Sequence, residues 1–119
     1  MVSKELRSNA ETAAAFLTVM ANEKRLLMIN YLAAGELSVG ALAEKVELSQ
    51  SALSQHLTKL RRLGLVDTRR DRQMVYYSCK SEAARELIAL LDGLLASGTP
   101  LIGRPSRDDA ERQRRPQAA

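Results

Sequence analysis

Two short apolar stripes, each introduced by a serine and separated by only Glu47 and Leu48, constrain this chain more than any other feature. Val39, Leu42, Ala43 and Val46 recur at helical spacing behind Ser38, and Leu53, Leu57, Leu60 and Leu63 recur behind Ser49. Serine is a favoured helix N-cap because its hydroxyl accepts from an otherwise unpaired backbone N–H. Gly64 stands where a left-handed residue ends a helix. The spacing predicts one short helix from Ser38 through Val46 and another over residues 49–63. A connection this short makes the pair a helix-turn-helix.

The flanks read in the same way. Ala10, Ala13, Ala14, Leu17 and Met20 predict a first helix around residues 8–20, its alanine-rich stripe allowing close approach of a partner helix. Asn22 caps a second, carrying Leu26, Ile29, Leu32 and Ala33 and ending before Gly35. After Gly64 the period changes. Leu65–Thr68 and Met74–Tyr77 are β-prone runs around a polar tip, Arg69–Gln73, and predict a hairpin. Ser81 caps a last helix with a broad apolar face of Ala84, Leu87, Ile88, Leu91, Leu94 and Leu95, widened by Leu90. The fold class is mainly α with a β-hairpin wing, a winged helix-turn-helix. A terminal helix this apolar exceeds what one small domain covers, so Ala13, Leu17, Leu87, Leu91 and Leu94 are expected at a homodimer interface. Aromatic residues are only 3% of the 119 residues, so the core must be aliphatic. Residues 1–96 are expected to form the winged helix-turn-helix and dimerisation domain. From Ser97 onward, prolines, glycines and mixed charges predict a disordered basic tail over 97–119 that either solubilises the protein or adds non-specific affinity for an anion.

Charge is concentrated. Between Lys59 and Lys80 lie seven basic residues against two acidic ones, a surplus of five where the whole chain carries +4. Such a stripe suits a polyanion. On a helical wheel of residues 49–63, Leu53, Leu57 and Leu60 point inward. Ser51, Ser54, Gln55, Thr58 and Arg62 cluster opposite, with Lys59 at their edge and no acidic residue in between. Gln can pair bidentately with adenine, while Ser and Thr bond base edges or phosphates. Arg and Lys further along would hold the backbone. Candidate contacts to double-stranded DNA are therefore Ser49, Gln50, Ser51, Ser54, Gln55, His56, Thr58, Lys59 and Arg62. Arg69, Arg70, Arg72 and Gln73 would join them from the wing, which either reaches a minor groove or backbone or is simply a charged exposed turn. His56 flanks the apolar stripe, where it either packs with one hydrogen bond or meets a phosphate.

These residues resemble a known family. Ala21–Leu27, Glu36–Ala43, Leu48–Leu57 and the hairpin with Gly64-Leu65-Val66, Arg69-Arg70-Asp71 and Tyr76-Tyr77-Ser78 are similar to the ArsR/SmtB repressors, over about residues 10–95. Within that family, the branch resembled is the rhizobial nodulation repressors. The resemblance implies four helices, a two-stranded wing and a fifth helix, with the first and last helices forming the dimer interface. It implies binding of an inverted-repeat, near-palindromic operator through the fourth helix and wing, with repression by promoter occlusion. It also gives Gln55 the part of adapting to differences between half-sites. Where thiolate sensors of the family carry a cysteine pair, this chain has Ser38 and Gly40. Where zinc sensors use His with acids in the last helix, it has Glu82, Glu86 and Asp92. Where sulfide sensors carry a second-helix cysteine, it has Asn30. Soft metals need about three or four thiolate or imidazole ligands, and one Cys with one His do not supply them. No metal and no cofactor are expected.

Three other classes make different demands on the residues. Redox gating would use Cys79, the sole cysteine, near Lys80; the plain alternative is an inert buried thiol. An enzyme would need a phosphate loop, a nucleophile with a base or a metal set, and none is legible. A winged interaction module without DNA binding is opposed by the acid-free helix face. No apolar run suggests a signal peptide or a membrane span, so the expected location is cytoplasmic, with no membrane partner.

Overall fold

The computed structural model describes residues 2–104 together with residues 106 and 108. Among them, five helices and a three-stranded antiparallel sheet follow in the order α1 (Lys4–Met20), α2 (Glu23–Ala34), β1 (Leu37–Ser38), α3 (Val39–Val46), α4 (Gln50–Arg62), β2 (Asp67–Asp71), β3 (Met74–Ser78) and α5 (Glu82–Ala96). This is the winged helix-turn-helix the sequence predicts. One compact unit runs to Ala89 and a second starts at Leu90.

The caps lie where side-chain chemistry puts them. Asn22, Ser38, Ser49 and Ser81 accept from the backbone N–H of Arg25, Ala41, Ala52 and Ala84 at 3.1–3.2 Å. Gly64, at φ 68°, closes α4 in a Schellman motif: its N–H reaches the Arg61 carbonyl, and that of Leu65 reaches Leu60. The turn between α3 and α4 is made without glycine, by Glu47 at φ 56°.

The core of the first unit is aliphatic, as the composition requires. Met28, Ile29 and Leu32 of α2, Leu42 and Val46 of α3, and Leu53, Leu57 and Leu60 of α4 are almost wholly buried. Each such side chain contributes about 1.5–3 kcal/mol of transfer free energy. Tyr77 and Cys79 close the core from the sheet side and Ala84 from α5.

Four details differ from the sequence reading. Helix α1 starts at Lys4 rather than residue 8 because Ser3 accepts from the Leu6 N–H, and the helix kinks at Asn9 (φ −123°), whose amide donates to the Glu5 carbonyl. The short β1, too brief for any alternation to register, pairs with β3. Leu65 and Val66 belong to the buried core ahead of the hairpin instead of to its first strand. In consequence Arg69 and Arg70 lie within β2, and the tip is the two-residue turn Arg72-Gln73, with Arg72 at φ 59°. Of the predicted tail, Gly98 and Thr99 donate to the Leu95 and Leu94 carbonyls and cap α5. Residues 105, 107 and 109–119 lie outside the described residues.

Candidate nucleic-acid interface

Helix α4 is held along one side and bare along the other. Leu53, Leu57 and Leu60 are at most 2% exposed and fix its axis, while Ser51, Ser54, Gln55, Thr58, Lys59 and Arg62 are exposed. Two of the predicted hydroxyls are already engaged. The Ser49 Oγ caps the helix, and the Thr58 hydroxyl donates to the Ser54 carbonyl at 2.9 Å, leaving Thr58 its lone pairs and methyl for a ligand. Ser51, Ser54 and Gln55 make no side-chain hydrogen bond to a described residue. Lys59, Arg61 and Arg62 gather in the last turn, where the helix dipole also favours cations.

His56 has a structural partner. Its Nδ1 accepts from Arg25 Nε at 3.1 Å, and Arg25, only 9% exposed, also donates to the Val19 carbonyl at 3.1 Å. Burial, then the charges of Arg25 and Lys59, push the imidazole below its ordinary value. An always-protonated donor on Nδ1 fixes the neutral tautomer with its hydrogen on Nε2. Arg25 thus ties the end of α1 to the centre of α4. Neither it nor Lys24, which donates to the Val46 carbonyl at 2.6 Å, stands out in the sequence, where a buried cation and an exposed one look alike.

The wing sorts its arginines by face. Arg69 pairs with Tyr76 across the ladder and Arg70 with Val75, so the two point to opposite sides. Arg69 is engaged by Glu36 through both oxygens. Arg70 and Arg72 are exposed and form no ion pair with a described residue, as is also true of Lys59 and Arg62. Gln50 and Gln73, predicted on separate elements, line one open cleft of about 360 Å³ with Ser38, Val39, Gly40, Met74 and Val75.

The residues expected at a subunit interface divide. Leu17 is 52% exposed and Ala13 half-buried, while Leu87 packs against the first unit's core. Leu91 and Leu94 belong to the second unit and are half-buried, beside Leu90 and Leu95 at 58% and 61% exposure. Cys79 is buried, and desolvation pushes its thiol up. Among the described residues, no three His, Cys, Asp or Glu side chains gather as a metal set, and no helix is long and apolar enough to cross a membrane.

Comparison with known proteins decides the family. Residues 22–68 match the profile of the bacterial regulatory proteins of the arsR family. The nodulation protein NolR of Rhizobium meliloti is 51% identical over 82% of this chain and 80% of its own length. The chain belongs to the ArsR family. Other members bear on this ArsR-family chain too. The transcriptional activator HlyU of Vibrio cholerae is 48% identical over 76% of this chain and 84% of its own. The crystal structure of NolR from Sinorhizobium fredii superposes with a TM-score of 0.71 at 52% identity, covering 79% of this chain and 94% of that one. A homodimeric winged helix-turn-helix DNA-binding domain from Mycobacterium bovis superposes at 0.69 with 26% identity, over 87% and 96%. This ArsR-family chain is a DNA-binding transcriptional regulator and not an enzyme.

Proposed function

We propose that the chain binds a near-palindromic operator as a homodimer in the cytoplasm and represses transcription by occluding a promoter. The observation that carries this reading is the outer face of α4, where Ser51, Ser54 and Gln55 stand exposed and uncommitted on a helix locked by three buried leucines. Gln55 and Ser54 read base edges. Gln50, Ser51 and Thr58 add contacts near them, and Lys59, Arg62, Arg70 and Arg72 hold phosphates. Ser49 presents the N-terminus of α4, Gln73 contributes from the wing turn, and His56 can offer only its Nε2 hydrogen. A second copy, docked through Ala13, Leu17, Leu87, Leu91 and Leu94, would place two such helices in successive major grooves about 34–36 Å apart. The homodimeric relative from Mycobacterium bovis supports that assembly.

No metal governs this binding: the chain's one imidazole is His56, whose Nδ1 is occupied by Arg25, and its one thiol is the buried Cys79. Redox gating is disfavoured by the same burial. Because one relative is called an activator, transcription from a selected operator in vitro decides the direction, and a fall on adding the protein is expected.

Selection of duplexes from a random library, with wild type and Gln55→Ala side by side, tests the reading. An enriched inverted repeat, weakened or broadened by the substitution, is expected. Binding that is salt-labile with no enriched motif would refute it.

A further inference from the structure

We infer that Glu36 and Arg69 form a strap that sets the wing against the helix-turn-helix, making Arg69 a positioning residue instead of a phosphate contact. This rests on the operator-binding reading above. Arg69 donates from Nε to Glu36 Oε2 at 3.1 Å and from Nη2 to Oε1 at 2.7 Å, while Nη1 faces Asp71 Oδ2 at 3.9 Å. Each nitrogen of the guanidinium therefore faces a carboxylate oxygen, and its central carbon lies over the Tyr76 ring, 4.7 Å from the centroid. This fork-to-fork geometry is what distinguishes a specifying ion pair from an incidental surface one.

The strap's position in the sheet gives it leverage. Strand order is β1-β3-β2, so Glu36, immediately before one outer strand, and Arg69, within the other, lie on opposite sides of β3, about 10 Å apart at ordinary strand spacing. The arginine crosses β3 over Tyr76, its own ladder partner, which pairs on its other side with Ser38. Only Leu37 and Ser38 make up β1, so few backbone bonds join the wing to the rest of the sheet. Ser38 also caps α3. Whatever fixes β1 against β3 thus fixes the wing relative to α3 and α4, and with it the cleft that Gln50 and Gln73 share. Arg70, on the opposite face and without an ion pair to any described residue, is left to meet DNA.

The experiment is titration of a selected operator duplex at several salt concentrations with the full chain, Glu36→Gln, Arg69→Glu and the double variant Glu36→Arg/Arg69→Glu. Glu36→Gln removes a negative charge, so if Arg69 were a phosphate contact, binding would tighten and the salt slope steepen by about 0.9. The strap predicts the opposite sign: affinity about two- to fivefold weaker with the slope unchanged. The double variant restores most of what Arg69→Glu loses, although it places a carboxylate where a phosphate contact would need a cation. Tighter binding by Glu36→Gln, or no recovery in the double variant, overturns the strap. Solvent exchange of the Arg69 Nε hydrogen in the DNA-free protein separates the two readings. Slow exchange in wild type that becomes fast in Glu36→Gln supports the strap even if no operator is selected, and fast exchange in wild type overturns it whatever DNA does.

Discussion

Helix α4 and the wing both carry exposed cations, yet they spend them differently. On α4 neither Lys59 nor Arg62 forms an ion pair with a described residue, and Ser51, Ser54 and Gln55 before them make no side-chain hydrogen bond to one. On the wing, Arg69 is taken up by Glu36 and Asp71, while its neighbour Arg70 is not. The difference comes from geometry. A helix projects its side chains outward from a single rod, whereas a sheet lays neighbouring strands side by side and brings distant residues together. Counting basic residues therefore overstates the wing's share in DNA contact and not that of α4.

The comparison breaks most severely if α4 loses its footing. Leu57→Ala should cost about 2–5 kcal/mol by emptying a buried site. In urea denaturation the midpoint should fall sharply, and operator affinity should go with it; an unchanged midpoint would mean that the inner face of α4 does not anchor it.

A gentler break works through His56. Its imidazole is held neutral below the ordinary 6.5, so as pH falls the unfolded chain takes up the proton first. The His56 contribution to stability is thus complete above about pH 6.5 and drains away as pH drops through the lower folded-state value. Melting temperatures over this window should decline for wild type and stay flatter for His56→Asn, whose amide oxygen can still accept from Arg25. Parallel declines would remove the Arg25–His56 bond from the account.

The smallest effects lie at the two left-handed residues, Glu47 in the helix turn and Arg72 in the wing turn. Glycine at either relieves a conformation that costs roughly 1 kcal/mol for an L-residue, partly offset by chain entropy. Glu47→Gly should therefore shift the unfolding midpoint by less than about 1 kcal/mol, towards greater stability. A marked loss would show that the Glu47 side chain does more than occupy the turn.

These contrasts also explain what the sequence could and could not reveal. The α4 stripe, its serine cap and Gly64 are local signals, each set by residues within a turn of one another, and the structure has them where the spacing puts them. The wing's first strand begins later than the β-prone run suggests, because Leu65 and Val66 look like strand residues in isolation while tertiary packing buries them in the core. Strand β1, the Arg25–His56 bond and the Glu36–Arg69 pair join residues far apart in the chain. No local period reports such partners, and an arginine committed to a carboxylate reads the same as one left free.

The proposed division gives base reading to Gln55 and Ser54 on α4 and only backbone contact to Arg70 and Arg72 on the wing. The most direct measurement is the affinity of wild type, Gln55→Ala and Arg70→Ala for a selected operator and for a scrambled duplex of equal length, across a range of salt. Gln55→Ala should lower the specific-to-scrambled ratio by about 1–3 kcal/mol at an unchanged salt slope. Arg70→Ala should weaken both duplexes alike and make the slope shallower by about 0.9. A Gln55→Ala variant that keeps full discrimination, or an Arg70→Ala variant that loses it, would contradict this division of labour.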